Sequence, residues 1–106
     1  MPKYLIQANY VGEGIKGLLK EGGTSRRAAV EKALSSVGGK LEGFYYAFGD
    51  TDAFVIVELP DNVTAAALSL IVNAPGTVTA KIVVLLTPEE IDAATKKTPN
   101  YRPPGQ

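Results

Sequence analysis

An α+β domain with a four-stranded antiparallel sheet follows from three observations on this sequence. Four segments carry strand patterning: Lys3–Tyr10, Leu41–Phe48, Ala53–Leu59 and Thr77–Leu86. Helix-period segments fall between the first and second of these, and again between the third and fourth. The second and third strands are separated only by Gly49-Asp-Thr-Asp52, an ordinary hairpin connection.

Each element has a local reason. Lys3 to Tyr10 alternates, with Tyr4, Ile6, Ala8 and Tyr10 on one face and Leu5, Gln7 and Asn9 on the other. A glycine-punctuated segment from Gly12 to Gly23 follows, in which Ile15, Leu18 and Leu19 have the spacing of a short helix. Gly22-Gly23 stops it. Thr24 or Ser25 is placed to cap a longer second helix, whose stripe is Val30, Ala33, Leu34 and Val37. Gly38-Gly39 ends that helix and starts the second strand near Lys40.

After the third strand, Asp61 or Asn62 caps a helix reaching about Asn73, with Val63, Ala67 and Leu70 as its apolar line. Ala74-Pro-Gly76 ends it. The fourth strand sends Val78, Ala80, Ile82, Val84 and Leu86 one way. Thr87-Pro-Glu-Glu90 combines a threonine cap, proline in the first turn and early acids, so a terminal helix runs to about Lys97. We divide the chain into a domain over 1–97 and an extended, proline-rich tail over 98–106.

The order β, α (in two pieces), β, β, α, β is the split arrangement of ferredoxin-like domains. The second and third strands are apolar on both faces, so both sides of the sheet need cover. One small domain has helices for one side only. A second copy is the simplest cover for the other, two apolar sheets facing each other as a dimeric α/β barrel; trimers and larger rings stay open.

Composition excludes several function classes. Eleven basic residues balance eleven acidic ones, which argues against a nucleic-acid binder. With no cysteine and no histidine, thiolate and imidazole chemistry are both absent, and we expect neither a cofactor nor a metal. No stretch reaches the roughly 20 apolar residues of a membrane span. A soluble, cytoplasmic protein is expected.

Gly12-Glu-Gly-Ile-Lys-Gly17 matches a dinucleotide-binding fingerprint, but no βαβαβ unit follows it. We read it as a turn. Gly22-Gly-Thr-Ser-Arg-Arg27 offers free N–H groups, hydroxyls and two guanidinium groups to an anion. The plainer alternative is a capped helix whose arginines face water or pair with Glu31. Asp50 and Asp52 are too few to hold Ca²⁺ firmly, and turn chemistry explains them equally well. Tyr10 and Tyr46 are placed to line a cleft between sheet and helix. Tyr101 and Arg102 either dock on a neighbouring subunit or belong to a free end.

Over nearly its whole length the chain resembles the GYD-domain family of small bacterial proteins. The likeness is carried by Ala8–Gly23, by Phe44–Asp52, by Leu86-Thr-Pro-Glu-Glu90 and by the closing Tyr101-Arg-Pro-Pro-Gly105. The Gly-Tyr-Asp signature is occupied here by Gly49, Thr51 and Asp52, with Thr51 in the tyrosine's place. The resemblance implies a ferredoxin-like fold of the dimeric-barrel type and no particular activity.

Three functions follow as expectations. The first is a homo-oligomeric module binding a small anionic or aromatic molecule, with Arg26 and Arg27 on its charge, Tyr10 and Tyr46 shaping the pocket, and Asp50 and Asp52 on the adjoining turn. The second is a cofactor-independent enzyme, oxygenase- or cyclase-like, with Asp50 or Asp52 as base. The third is a protein whose only activity is assembly.

Overall fold

A computed structural model describes residues 1–106. The elements run β1 (Lys3–Tyr10), α1 (Glu13–Glu21), α2 (Gly23–Ser36), β2 (Lys40–Tyr46), β3 (Ala53–Glu58), α3 (Asn62–Asn73), β4 (Val78–Leu85) and α4 (Pro88–Thr95). The sheet order is β2-β3-β1-β4, every pair antiparallel. This is the expected α+β, ferredoxin-like sheet, with α2 and α3 on one face.

Strand register sorts the side chains into rows across the helix-facing side. One row is Leu41, Val57, Tyr4 and Val84; the next is Phe44, Val55, Ile6 and Ile82. A third is Tyr46, Ala53, Ala8 and Ala80. A bulge between Leu41 and Gly43 lets Leu41 and Phe44 share this face although they are three residues apart.

The first two rows make the main core with Leu34 of α2 and Ala65 of α3. Tyr4 is buried there, and its phenol donates to Asn62 Oδ1 at 2.6 Å, tying β1 to the start of α3. The opposite face carries Leu5, Phe54, Ile56, Tyr45, Val83 and Leu85, with no helix over it. At one end of that open face Lys3 Nζ bridges Glu42 at 2.8 Å and Glu58 at 3.3 Å.

Four local expectations need correction. No side chain caps α2: Gly22 is the N-cap at φ 82°, a left-handed conformation that favours glycine over Thr24 or Ser25. β2 stops at Tyr46, and Phe48 is fully exposed in the turn rather than in a strand. Gly12–Gly17, read as a turn, is helical from Glu13 onward as the first part of α1, an exposed helix with no buried residue. The line Val63, Ala67 and Leu70 of α3 points outward, Val63 being 78% and Leu70 73% exposed; Ala65, Leu68 and Val72 face the sheet instead.

The last correction has a clear cause. α3 holds no charged residue and is apolar on most of its circumference, so periodicity alone selects no unique face. Its ends set the rotation. At its start Asn62 Oδ1 accepts the buried Tyr4 phenol of β1 at 2.6 Å. At the other end Asn73 acts like a short piece of strand: its Oδ1 accepts the Ala80 N–H at 2.9 Å and its Nδ2 donates to the Ala80 carbonyl at 3.2 Å. Those two bonds dock α3 on the edge of β4.

α4 begins as expected, with Thr87 and Glu90 in a reciprocal capping box and Pro88 in the first turn. It has no substantial contact with any other element. The molecule is consequently long, 56 × 33 × 23 Å.

Candidate functional site

α2 lies over the β2 side of the sheet and α3 over β4, and Leu34 of the first and Ala65 of the second join one core cluster. Between them the floor is the row Ala53, Ala8 and Ala80, where three neighbouring strands each present only a methyl group. The result is a cavity of about 210 Å³. Ala29, Val30, Ala33 and Leu34 of α2 wall one side, Leu68 and Val72 of α3 the other, and Phe44 closes against Val55. Arg26 is the one charged residue that reaches it.

Arg26, Tyr10 and Val78 also line a second, polar chamber, whose other walls include Glu13, Gly14, Gly17 and Glu21 of α1. An apolar inner space therefore opens onto a polar vestibule with Arg26 and Tyr10 at the junction. No carboxylate lies within salt-bridge distance of Arg26; the ion pairs of the protein are made by Lys3, Lys16 and Arg27. Glu13 is paired with Lys16 at 3.2 Å, whereas Glu21 has no ion-pair partner.

Gly14 is required by this arrangement. A Cβ there would run into the Thr77 carbonyl, which already accepts the Val11 N–H at 2.9 Å. The central glycine of the fingerprint-like Gly12–Gly17 thus lets α1 approach Thr77, the residue before β4, closely. That contact also builds the vestibule, since Thr77 and Gly14 both line it.

Tyr46 stands beside the mouth. Its phenol donates to the Gly23 carbonyl at 3.2 Å, and its ring meets Phe44 with centroids 5.1 Å apart. Burial, then the neighbouring Tyr10 phenol, pushes the Tyr46 pKa up to about 12; Arg26 pulls it down slightly and Glu21 pushes it up. At neutral pH Tyr46 is therefore a hydrogen-bond donor and no base.

The sequence-predicted residues fall into two groups. Tyr10, Arg26 and Tyr46 come together around the cavity mouth. Arg27 lines a separate surface depression with Thr24 and Tyr46, and lies 4.0 Å from Glu31. Asp52 is used in backbone bonding. Its carboxylate accepts the Tyr10 N–H at 3.0 Å, while its own N–H donates to Asn9 Oδ1 at 2.9 Å and the Ala8 carbonyl at 3.0 Å. Asp52 thereby fixes where β1 ends and where Tyr10 stands. Asp50 is exposed and forms no ion pair or side-chain hydrogen bond.

Sequence reasoning missed the alanine row, Glu21, and the Asn73 clamp. The alanines left a trace, since Ala8, Ala53 and Ala80 are the small members of otherwise bulky faces. Only register could show that they lie side by side. Glu21 left none, because a charge at the end of a short exposed helix is ordinary.

Fold and site together define a small α+β domain of ferredoxin-like topology with a hollow between sheet and helices. The chain belongs to the GYD-domain family, whose profile matches residues 4–95 under the description GYD domain. Neither a curated protein nor a solved structure matches it. No helix is long and apolar enough to cross a membrane, and no group of three or more acidic residues is placed to hold a metal ion.

Proposed function

We propose that this protein is a self-associating binding module for a small anionic or aromatic molecule, held in the cavity between α2 and α3. The observation that carries the reading is the cavity itself: a 210 Å³ apolar space with one unpaired guanidinium, Arg26, at its mouth. Apolar pockets with a few convergent polar groups are the usual form of small-molecule sites. An engineered apolar cavity of about 150 Å³ is large enough to take up benzene.

Self-association is supported by the surface. Only 9 of 106 residues are buried and the accessible surface is 7548 Å², against roughly 5,700 Å² for a compact monomer of this mass. Part of that excess belongs to α4 and the exposed tail, and the uncovered sheet face adds apolar area of the kind that a partner covers, ~800 Å² per partner in a standard interface. Sheet-to-sheet pairing through Leu5, Phe54, Ile56 and Val83 would give the dimeric-barrel arrangement, leaving the helix-side cavity accessible. Enzyme readings built on Asp50 or Asp52 find no comparable support, because the first stands in water and the second is engaged by backbone.

Native mass spectrometry of gently purified protein tests both halves. A defined oligomer with added mass per subunit is the expected result, and Arg26→Ala should release that mass without changing the oligomer. A monomer defeats the association claim. An oligomer that neither carries nor takes up a small anion or aromatic compound points to assembly alone.

A further inference from the structure

Arg26 and Glu21 share the vestibule, yet they form no salt bridge with each other or with any other side chain. Neither charge is neutralised within the protein, so both are available to a group carrying both signs. A simple anion entering this mouth gains Arg26 but is repelled by Glu21, and by Glu13 in so far as Lys16 leaves it unneutralised. A simple cation meets the reverse.

We propose that the ligand is a zwitterionic α-amino acid with an apolar, ring-sized side chain, its carboxylate on Arg26, its ammonium on Glu21 and its side chain in the cavity. This rests on the binding-module reading and names the ligand class for the same site. Arg26 suits the carboxylate because a guanidinium fork can donate two parallel hydrogen bonds. Glu21 accepts from the ammonium across the chamber. Tyr10 stands at the junction between the two charges and the apolar space.

The cavity shape favours a ring over a bulky branched chain. Ala8, Ala53 and Ala80 form a low strip across its floor, bounded on the same sheet face by Ile6 and Val55 on one side and Tyr10 and Val78 on the other. Val30 and Leu34 on one wall, with Leu68 and Val72 on the other, form a slot above that floor. Phe44 supplies an aromatic contact at the side. A benzyl group fits the volume, and a glycine-sized amino acid would leave the slot empty.

The test is titration calorimetry on the full chain with four probes: L-phenylalanine, phenylacetate, phenethylamine and glycine. L-phenylalanine should bind at least about tenfold more tightly than either single-charge analogue, since each lost charged hydrogen bond is worth that much or more. Glycine should show no heat of binding. Glu21→Gln should weaken L-phenylalanine and strengthen phenylacetate, a reversal that loss of structure cannot produce. Ala33→Leu, which fills the slot, should weaken every ring-bearing probe.

Phenylacetate binding as tightly as L-phenylalanine, with Glu21→Gln without effect, would overturn the zwitterion and leave the binding-module reading intact. Unchanged affinity in Ala33→Leu would place the ring elsewhere and overturn the proposed pose. If none of the four probes binds, and benzoate and phosphate do not either, the proposal and the reading beneath it both fall.

Discussion

The two ends of the helix-facing sheet surface differ sharply although the same strands build both. Towards Tyr4 the rows carry Leu41, Val57, Phe44 and Val55, and Leu34 of α2 seals them at 1% exposure. Towards Tyr10 the row is Ala53, Ala8 and Ala80, which line the cavity between α2 and α3. Backbone geometry is common to the two ends; side-chain volume is not. The Tyr4 end is filled by large side chains; at the other, Ala8, Ala53 and Val78 make a second, smaller buried cluster, and methyl groups stand where leucine-sized groups would fill the remaining space.

Breaking the packed end should have the largest effect. Val57→Asp places an unpaired carboxylate in the core and should abolish cooperative unfolding, seen as loss of the near-UV circular dichroism signal. Ile56→Asp, one residue away but on the uncovered face, should keep that signal and lose self-association in sedimentation velocity. If both variants fold and assemble normally, the two-sided burial of β3 is wrong.

Next come size changes at the two ends. Leu34→Ala should cost about 2–5 kcal/mol in urea unfolding, the usual range for a buried leucine. Ala33→Leu, beside it on the same cavity wall but not buried in the core, should stay within about 1 kcal/mol of the parent because it fills existing space. Equal losses at both positions would mean that the cavity is closed in solution.

A smaller effect is expected where the turn holds the mouth in place. Asp52→Ala removes the acceptor of the Tyr10 N–H and should cost about 1–3 kcal/mol, the penalty for a partly buried donor left unpaired. Faster amide exchange at Tyr10 than at Tyr4 would locate that loss at the mouth.

Smallest of all is Tyr46→Phe, which loses one 3.2 Å hydrogen bond, worth at most about 1 kcal/mol. Its pH signature is more telling. A phenol whose pKa rises from 10.0 to about 12 on folding binds its proton more tightly in the native state. It therefore contributes stability below pH 10 that is lost as pH climbs through 12. Tyr46→Phe should remove this alkaline loss and delete the phenolate absorbance step near pH 12. Asp61, held below its ordinary 3.8 by the Thr64 hydroxyl and then its N–H, works in the opposite direction: its contribution is present above 3.8 and is lost as pH falls further.

Element order, the antiparallel sheet and the α4 capping box were legible because each rests on local chemistry. Alternation placed Lys3–Tyr10, Gly49–Asp52 marked the hairpin, and Thr87-Pro-Glu-Glu90 stated its own helix start. Tyr10, Arg26 and Tyr46 were legible as site candidates by residue type, and they do converge on one mouth. Arg27 and Asp52 were equally plausible by type, but local partners engage them: Glu31 lies at salt-bridge range of the first, and backbone N–H groups hold the second.

What the sequence determined by itself is therefore the list of elements and the two-faced character of β2 and β3, since period and residue class act over a few neighbours. Tertiary structure decided which side of the uncharged α3 meets the sheet, because that depends on Asn73 reaching Ala80 across a turn. It also decided that three alanines from three strands form one floor, and that Arg26 and Glu21 share a chamber without touching. The alanine floor depends on register between residues tens of positions apart, whereas the other two depend on how a turn and a helix break set neighbouring segments; neither leaves a periodic trace along the chain.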